Sequence, residues 1–274
     1  MALVDKIIWQ LERHLAQPLT TQQLADLCAI SPYHMNRAFR AGTGQTPMGY
    51  LRCRRLSNGA LALAHGRDDI LTIALDAQYA SHEAFTRAFT TTFGCAPRDL
   101  RRTDIIATLP LQDPIPMQNN DFLDLAAPNI EDRPALRVAG LSIPCSKDKI
   151  AEITPLWTKF NAMFFEEGLD HSAAYGVSYN VADDGTFDYM AAAQLAGDTA
   201  PKGMNTLDIP AGRYAVFEHN GHVSDMPKMF HTIWNKSIPE QGLTPRCAPE
   251  FECYDKRFDP QTGRGTMVVA IPIE

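Results

Sequence analysis

The sequence predicts two domains of different fold class: an all-α N-terminal domain with two helix-turn-helix units joined by a long helix, and a C-terminal α+β domain. Three observations support this prediction. The chain has 274 residues of which 45% are hydrophobic, enough for two cores. A segment near the N-terminus repeats at an offset of 50 residues. The last part of the chain alternates strand and helix patterns in the order βαββ twice, which is typical of an antiparallel sheet with helices.

Charge is distributed unevenly along the chain. Residues 1–104 hold 12 basic and 9 acidic side chains (net +3), which leaves 13 basic and 23 acidic side chains (net −10) for the rest of a chain whose total is −7. The two parts are joined by a segment with Pro110, Pro114 and Pro116, and proline disfavours helices and central strands. We therefore expect domains at 1–104 and 121–274 with a linker at 105–120.

Composition also limits the cellular setting. The six cysteines contain no CxxC pair, so neither a disulfide framework nor a zinc ribbon is indicated. No apolar run reaches the roughly 18 residues that a membrane span needs, and the N-terminus lacks a signal-peptide pattern. We expect a cytoplasmic protein with no membrane partner.

The N-terminal repeat contains six identities within 17 positions: Ser31/Ser81, Arg37/Arg87, Ala38/Ala88, Phe39/Phe89, Gly44/Gly94 and Pro47/Pro97. Each copy predicts a helix, a short turn and a second helix. In the first copy, Thr20 to Gln23 has the spacing of a capping box, and Ser31 followed by Pro32 suits the start of the second helix.

The second helix of each copy has a polar outer face. Helical spacing turns Met35 and Phe39, and in the second copy Phe85 and Phe89, towards the core. The outer faces then carry Tyr33, Asn36, Arg37 and Arg40 in one copy and His82, Glu83, Thr86 and Arg87 in the other. Amide and guanidinium groups read base edges and hold phosphates, although any amphipathic helix also has a polar face. The duplication in one register favours DNA binding.

The segment between the copies, residues 48–65, contains no proline and predicts a helix of 18 residues, about 27 Å long. Successive major-groove faces of double-stranded DNA lie about 34 Å apart. One chain is therefore expected to place two reading helices in two adjacent major grooves.

The segments MNRAFRAGTGQTPMGYLRCRRL and EAFTRAFTTTFGCAPRDLRR resemble the paired signature of AraC/XylS-type transcription regulators, over roughly residues 3–104. The resemblance implies that Tyr33, Asn36 and Arg37 read bases in the first unit, and His82, Glu83, Thr86 and Arg87 in the second. This sequence departs from the family at the two turns. Ala29 and Gln78 stand where glycine is frequent, and we expect both turns to form with slight strain.

The C-terminal half predicts six strands and two helices. The strands are 135–142, 173–179, 187–195, 213–218, 251–254 and 266–273; one helix ends near Glu167 before Gly168, and Ser224 caps the other. Pro155 either begins the first helix or kinks it. Asp183 to Gly185 suits a hairpin turn.

This half resembles GyrI-like effector-binding domains, through IPAGRYAVFEHNG at 209–221 and PEFECYD at 249–255. An AraC-type domain followed by a GyrI-like domain is the layout of Rob-type regulators. The resemblance implies that Glu252 faces a small, lipophilic cationic effector and that Tyr254 lies beside it; strand alternation places both on one face. The aromatic residues expected to line the pocket are Trp157, Phe160, Tyr189 and Trp234. Their alternative role is simply to form the core.

Other chemistry has weaker support. His219 and His222 form an HxxH pattern without a nearby third ligand, and no nucleotide-binding or nucleophile motif is present, so we expect neither a metal nor a cofactor and no enzyme. Two alternatives remain. In the first, the protein sequesters or hydrolyses small molecules with Glu252 and Tyr254, and its DNA-binding domain is auxiliary. In the second, it regulates without a ligand, and its second domain docks a protein such as RNA polymerase. Cys253, beside Glu252, is a candidate for oxidation.

Overall fold

The computed structural model describes residues 2–66, 69–100, 105–117, 121–145, 147–165, 168–182 and 186–274. They divide into two compact units, Met1–Met35 with Gln45–Asn119, and Asn36–Gly44 with Asn120–Glu274. Each unit is described by itself. No helix among the described residues is long and apolar enough to cross a membrane.

The N-terminal half is helical, as predicted. Its helices are α1 (Leu3–Arg13), α2 (Thr21–Cys28), α3 (Pro32–Thr43), α4 (Pro47–Ala64), α5 (Ile70–Asp76), α6 (His82–Phe93) and α7 (Pro97–Leu100), followed by a 3-10 turn at Ile105–Thr108. Helices α2 and α3 form the first helix-turn-helix unit, and α5 and α6 form the second. The 18 residues of α4 lie between them and confirm the long helix expected there.

The repeat extends to the details that begin and end its helices. The side chains of Ser31 and Ser81 accept hydrogen bonds from the backbone N–H groups of the third helical residues, at 3.1 and 3.2 Å. Both turns form without glycine, because Ala29 (φ 56°) and Gln78 (φ 65°) adopt the left-handed conformation. A side chain is disfavoured in that region, so the expected strain is present at both turns.

The described residues of the segment predicted as a linker pack onto the first unit. The backbone N–H of Gln112 donates to Ser57 of α4 at 2.8 Å, and its carbonyl oxygen accepts from Arg54 at 2.9 Å. Arg54 in turn pairs with Glu12 of α1 at 2.9 Å. The chain at Gln112 is therefore held against the long helix, because its backbone groups form hydrogen bonds with side chains of α4.

The C-terminal half combines an antiparallel sheet with helices. The strands are β1 (Asn129–Arg133), β2 (Leu136–Cys145), β3 (Leu169–Tyr179), β4 (Phe187–Leu195), β5 (Asn205–Ile209), β6 (Gly212–His222), β7 (Glu250–Asp255), β8 (Phe258–Asp259) and β9 (Arg264–Ile273). The helices are α8 (Ile153–Met163), α9 (Met226–Thr232) and α10 (Ile238–Glu240), with π-helical geometry at Ile233–Ser237. Pro155 is the third residue of α8, in its first turn, and the predicted turn at 183–185 lies outside the described residues.

The strands are ordered β1-β6-β9-β7-β3-β4-β2-β5, with β8 paired to β9. The two predicted βαββ units are β2-α8-β3-β4 and β6-α9-β7-β9, so the fold class is confirmed. Sequence patterns missed β1, β5 and β8, which are short strands with exposed positions. Ser224 was wrongly predicted as a helix cap, because a 3-10 turn precedes α9 and the side chain of His222 caps it.

The sheet has two apolar faces because side chains alternate along each strand. On one face, Val177 of β3, Met190 of β4 and Phe251 of β7 belong to one buried cluster. On the other, Tyr189 and Ala191 of β4 pack with Leu156 and Phe160 of α8. Glu252 follows Phe251 in β7, so its side chain points to the face that α8 covers.

Candidate functional site

The predicted base-reading residues of the second helix-turn-helix lie on α6. Glu83 and Arg87 are exposed, and His82 and Thr86 are half-buried. A hydrogen bond with Ser81 and another to its own backbone N–H lower the pKa of Glu83, so the carboxylate is charged at the start of α6. The helix therefore presents a cation and an anion one turn apart, and the role of each in base reading stays a prediction.

In the first helix-turn-helix, the predicted residues lie on α3 but are less accessible. Asn36 and Arg37 are buried, at 8% and 9% exposure, and Tyr33 and Arg40 are half-buried. Met35 and Phe39 are fully buried, as helical spacing predicted. The base-reading role of the polar set on α3 stays a prediction.

The candidate effector site is centred on the Glu252 carboxylate. Tyr254, two residues along β7, donates a hydrogen bond from its hydroxyl to Glu252 Oε2 at 2.7 Å. Tyr189 of β4 donates to the same oxygen at 3.2 Å. Trp157 of α8 donates from its indole N–H to the Tyr189 hydroxyl at 3.0 Å. Strands β7 and β4 and helix α8 thus bring four of the predicted residues into one hydrogen-bonded chain.

A glycine in the intervening strand makes this chain of contacts possible. Gly176 of β3 is the direct partner of Glu252 in β7, and Tyr189 lies on the other neighbour, β4. A Cβ atom at position 176 would be 2.8 Å from Glu252 Oε2 and would overlap the Tyr189 hydroxyl. Tyr189 reaches Glu252 only because position 176 has no side chain. Sequence reasoning missed this residue, although glycine inside a strand often marks a close approach.

Burial sets the protonation of the site. Desolvation raises the pKa of Glu252 to about 7, and the hydrogen bonds from Tyr254 and Tyr189 oppose that increase. Burial also raises the pKa values of Tyr189 and Tyr254 well above the ordinary value, so both phenols are neutral donors. No cationic side chain in the described ranges pairs with Glu252. The site is a buried acid that titrates near neutral pH.

Aromatic rings surround this acid. The ring of Trp157 makes edge-on contacts with Phe160 and Tyr254, with centroids 5.9 and 5.4 Å apart. Phe258 of β8, which sequence patterns did not indicate, also packs here, with its ring centroid 4.8 Å from that of Tyr254. Trp234 is 1% exposed in the π-helical segment, and its place in the pocket stays a prediction. Electron-rich ring faces beside a carboxylate suit a cation.

The other candidate groups have structural roles. His219 lies 3.2 Å from Asp225, and His222 accepts a hydrogen bond from the backbone of Ser224; across the described ranges no cluster of three metal-binding side chains exists. Burial raises the pKa of Cys253 to about 11, so its thiol resists ionisation. Burial thus disfavours the thiolate that oxidants attack, and the oxidation of Cys253 stays a prediction.

A pair of helix-turn-helix units together with a sheet domain that buries an acid among aromatic rings defines a class: DNA-binding regulators with a small-molecule domain. Comparison with known families agrees. Residues 126–274 match the GyrI-like small molecule binding domain, and residues 24–103 match a helix-turn-helix domain. The first match covers more than half of the chain, which therefore belongs to the GyrI-like family. The protein is a DNA-binding transcription regulator of the AraC and Rob type.

Individual relatives match this chain over different lengths. The chain is 28% identical over 270 residues to the transcriptional regulator Rob of Salmonella typhimurium, covering 94% of this chain and 92% of that protein. It is 28% identical over 272 residues to the right origin-binding protein of Escherichia coli K12, with the same coverage. The regulatory protein SoxS of E. coli K12 is 36% identical over 97 residues, which span 35% of this chain and 90% of SoxS.

Proposed function

We propose that the protein regulates transcription by reading two adjacent major grooves of double-stranded DNA with α3 and α6, under the control of a small lipophilic cation bound at Glu252. The length of α4, 18 residues and about 27 Å, supports the two-groove arrangement. One relative named as a transcriptional regulator and another named as a regulatory protein support the DNA-binding role.

The DNA arm is tested with Arg37→Ala and Arg87→Ala, the equivalent arginines of the two repeats. Each substitution is expected to weaken specific binding by about 1–3 kcal/mol if the arginine reads a base. The measurement is titration of the full chain against a site selected from random DNA. Unchanged affinity in both variants would contradict the proposal.

The effector arm depends on one observation: Glu252 is 9% exposed and has only neutral phenols as hydrogen-bond partners in the described chain. A buried carboxylate without a cation is costly, and an incoming cation would remove that cost by Coulomb attraction. The aromatic rings of Trp157 and Tyr254 add cation–π attraction and an apolar surface. The preferred ligand is therefore cationic and aromatic or branched aliphatic.

The test of the effector arm is calorimetry with phenyltrimethylammonium and its neutral isostere tert-butylbenzene at pH 8. Wild type is expected to prefer the cation, and Glu252→Gln is expected to lose that preference, at a cost of about 2–5 kcal/mol in cation binding. Glu240→Gln, which changes an exposed glutamate on α10, serves as the charge-matched control. Equal binding of both ligands by wild type, or full cation binding by Glu252→Gln, would refute the effector assignment.

A second function has a specific observation in its favour. A carboxyl group with a pKa of about 7 beside a phenol is suited to general acid–base catalysis, so the site also fits hydrolysis of an electrophilic small molecule. Turnover of such a substrate that Glu252→Gln abolishes would favour a hydrolase over a sensor. Our primary proposal is a sensor without enzymatic activity.

RNA polymerase is the protein partner we propose for the DNA-bound regulator. Pull-down of the polymerase by the DNA-bound full chain tests this proposal.

A further inference from the structure

A groove of about 220 Å³ lies in the first unit, between the start of α4 and the turn that joins α5 to α6. Its lining consists of Met48, Leu51, Arg52, Arg55, Ala77, Gln78 and Tyr79. The lining includes two arginines and no acidic side chain. Because its charged residues are all basic, the groove is suited to bind an anion.

The Tyr79 hydroxyl is an unused hydrogen-bond donor in this groove. Its oxygen is buried and makes no hydrogen bond to any described residue. The ring is held in place by an edge-on contact with Phe85 of α6, at a centroid distance of 5.5 Å. A buried hydroxyl without a partner is costly, so the position implies a ligand or a solvent molecule that satisfies it.

The two arginines differ in how they are held. Arg55 is fixed because its Nε and Nη2 atoms donate to the backbone carbonyls of Leu15 and Gln17, each within 2.8 Å, which leaves Nη1 outside these bonds. Arg52 is exposed, and no acidic side chain in the described ranges pairs with it. Both guanidinium charges act on Tyr79 and oppose the increase in its pKa that burial causes. Three donors thus converge on one groove.

We propose that this groove binds a phosphate group through Arg52, Arg55 and the Tyr79 hydroxyl. Phosphate oxygens are acceptors only, and guanidinium groups bind them with short, charge-assisted hydrogen bonds. The backbone of DNA is the expected source, because Tyr79 lies only two residues before Ser81, the residue that caps the reading helix α6. A free phosphate supplies the same chemistry. This inference rests on DNA binding and is independent of the effector site at Glu252.

The test measures binding of the full chain to duplex DNA over a range of salt concentrations. Arg52→Gln is expected to lower the slope of log affinity against log salt by about 1, and affinity by about fivefold at 0.15 M salt, as for the loss of one phosphate contact. Tyr79→Phe keeps the ring and is expected to reduce affinity without changing the slope. Arg137→Gln, on β2 of the other unit, removes the same charge elsewhere and serves as the control.

Calorimetry with inorganic phosphate distinguishes the two sources. A reduced salt slope in Arg52→Gln but not in Arg137→Gln supports a DNA phosphate. An unchanged slope together with phosphate binding that Arg52→Gln and Tyr79→Phe both weaken supports a free phosphate in the same groove. If neither variant changes either measurement, the groove does not bind phosphate and the inference is overturned, whatever the outcome of the Glu252 experiments.

Discussion

The carboxyl group of Glu252 makes the stability of the second unit depend on pH. Its pKa is raised from 4.5 to about 7, so the stability that its neutral form provides is complete below 4.5 and is lost as pH rises through 7. At about 1.4 kcal/mol per tenfold change in proton affinity, the loss reaches about 3 kcal/mol above pH 8. Glu252→Gln keeps an oxygen that accepts from Tyr254 and Tyr189 but cannot ionise. The free energy of unfolding of the variant, relative to that of wild type, is therefore expected to be up to about 3 kcal/mol higher at pH 9 than at pH 4.5.

Urea unfolding at pH 4.5, 7 and 9 measures this difference. Carrying Trp9→Phe in every protein leaves Trp157 and Trp234, both in the second unit, as the fluorescent reporters. Other titrating groups cancel when wild type and variant are compared at each pH, and the exposed Glu240→Gln is expected to give no pH-dependent difference. A difference between wild type and Glu252→Gln that stays constant from pH 4.5 to 9 would show that the carboxyl is not buried as described.

Three further predictions concern cation binding at Glu252, the turn before α3 and the glycine opposite Glu252. Affinity for phenyltrimethylammonium is expected to rise about tenfold between pH 6 and 8 in wild type, as Glu252 ionises, and calorimetry should find no such rise in Glu252→Gln. Ala29→Gly is expected to stabilise the protein by about 1 kcal/mol in urea unfolding, because it relieves the strain of an alanine in the left-handed conformation. Ala25→Gly, inside α2, is expected to destabilise the protein by at least that amount. If both variants changed the free energy of unfolding in the same direction, the turn would not be strained. Gly176→Ala is expected to break the contact between Tyr189 and Glu252, destabilise the unit by about 1–3 kcal/mol and abolish cation binding, while Gly197→Ala, which has open space around it, is expected to leave binding intact.

Local signals predicted the N-terminal half well. Ser31 and Ser81 cap the two reading helices, and Phe39 and Phe89 face inward as the spacing indicated. These features depend on residues within one helical turn of each other, so the sequence contains all the information they need. The short strands β1 and β5 were missed for the opposite reason. Their positions are largely exposed, and pairing with β6 and β2 is what makes them strands.

Composition, repeats and strand alternation were enough to predict the two-domain layout, the duplicated helix-turn-helix units and the placement of Glu252 and Tyr254 on one side of a strand. Which groups meet around Glu252 depends on how distant parts of the chain pack together. Trp157 and Tyr189 are distant from Glu252 along the chain, and the register that sets Gly176 opposite Glu252 joins β3 to β7 across more than 70 residues. Strand register depends on the packing of whole faces and not on any local pattern. That packing removes water from the Glu252 carboxyl group and raises its pKa to about 7. The neighbouring residues in the sequence do not predict this burial, because the groups that exclude the water come from distant parts of the chain.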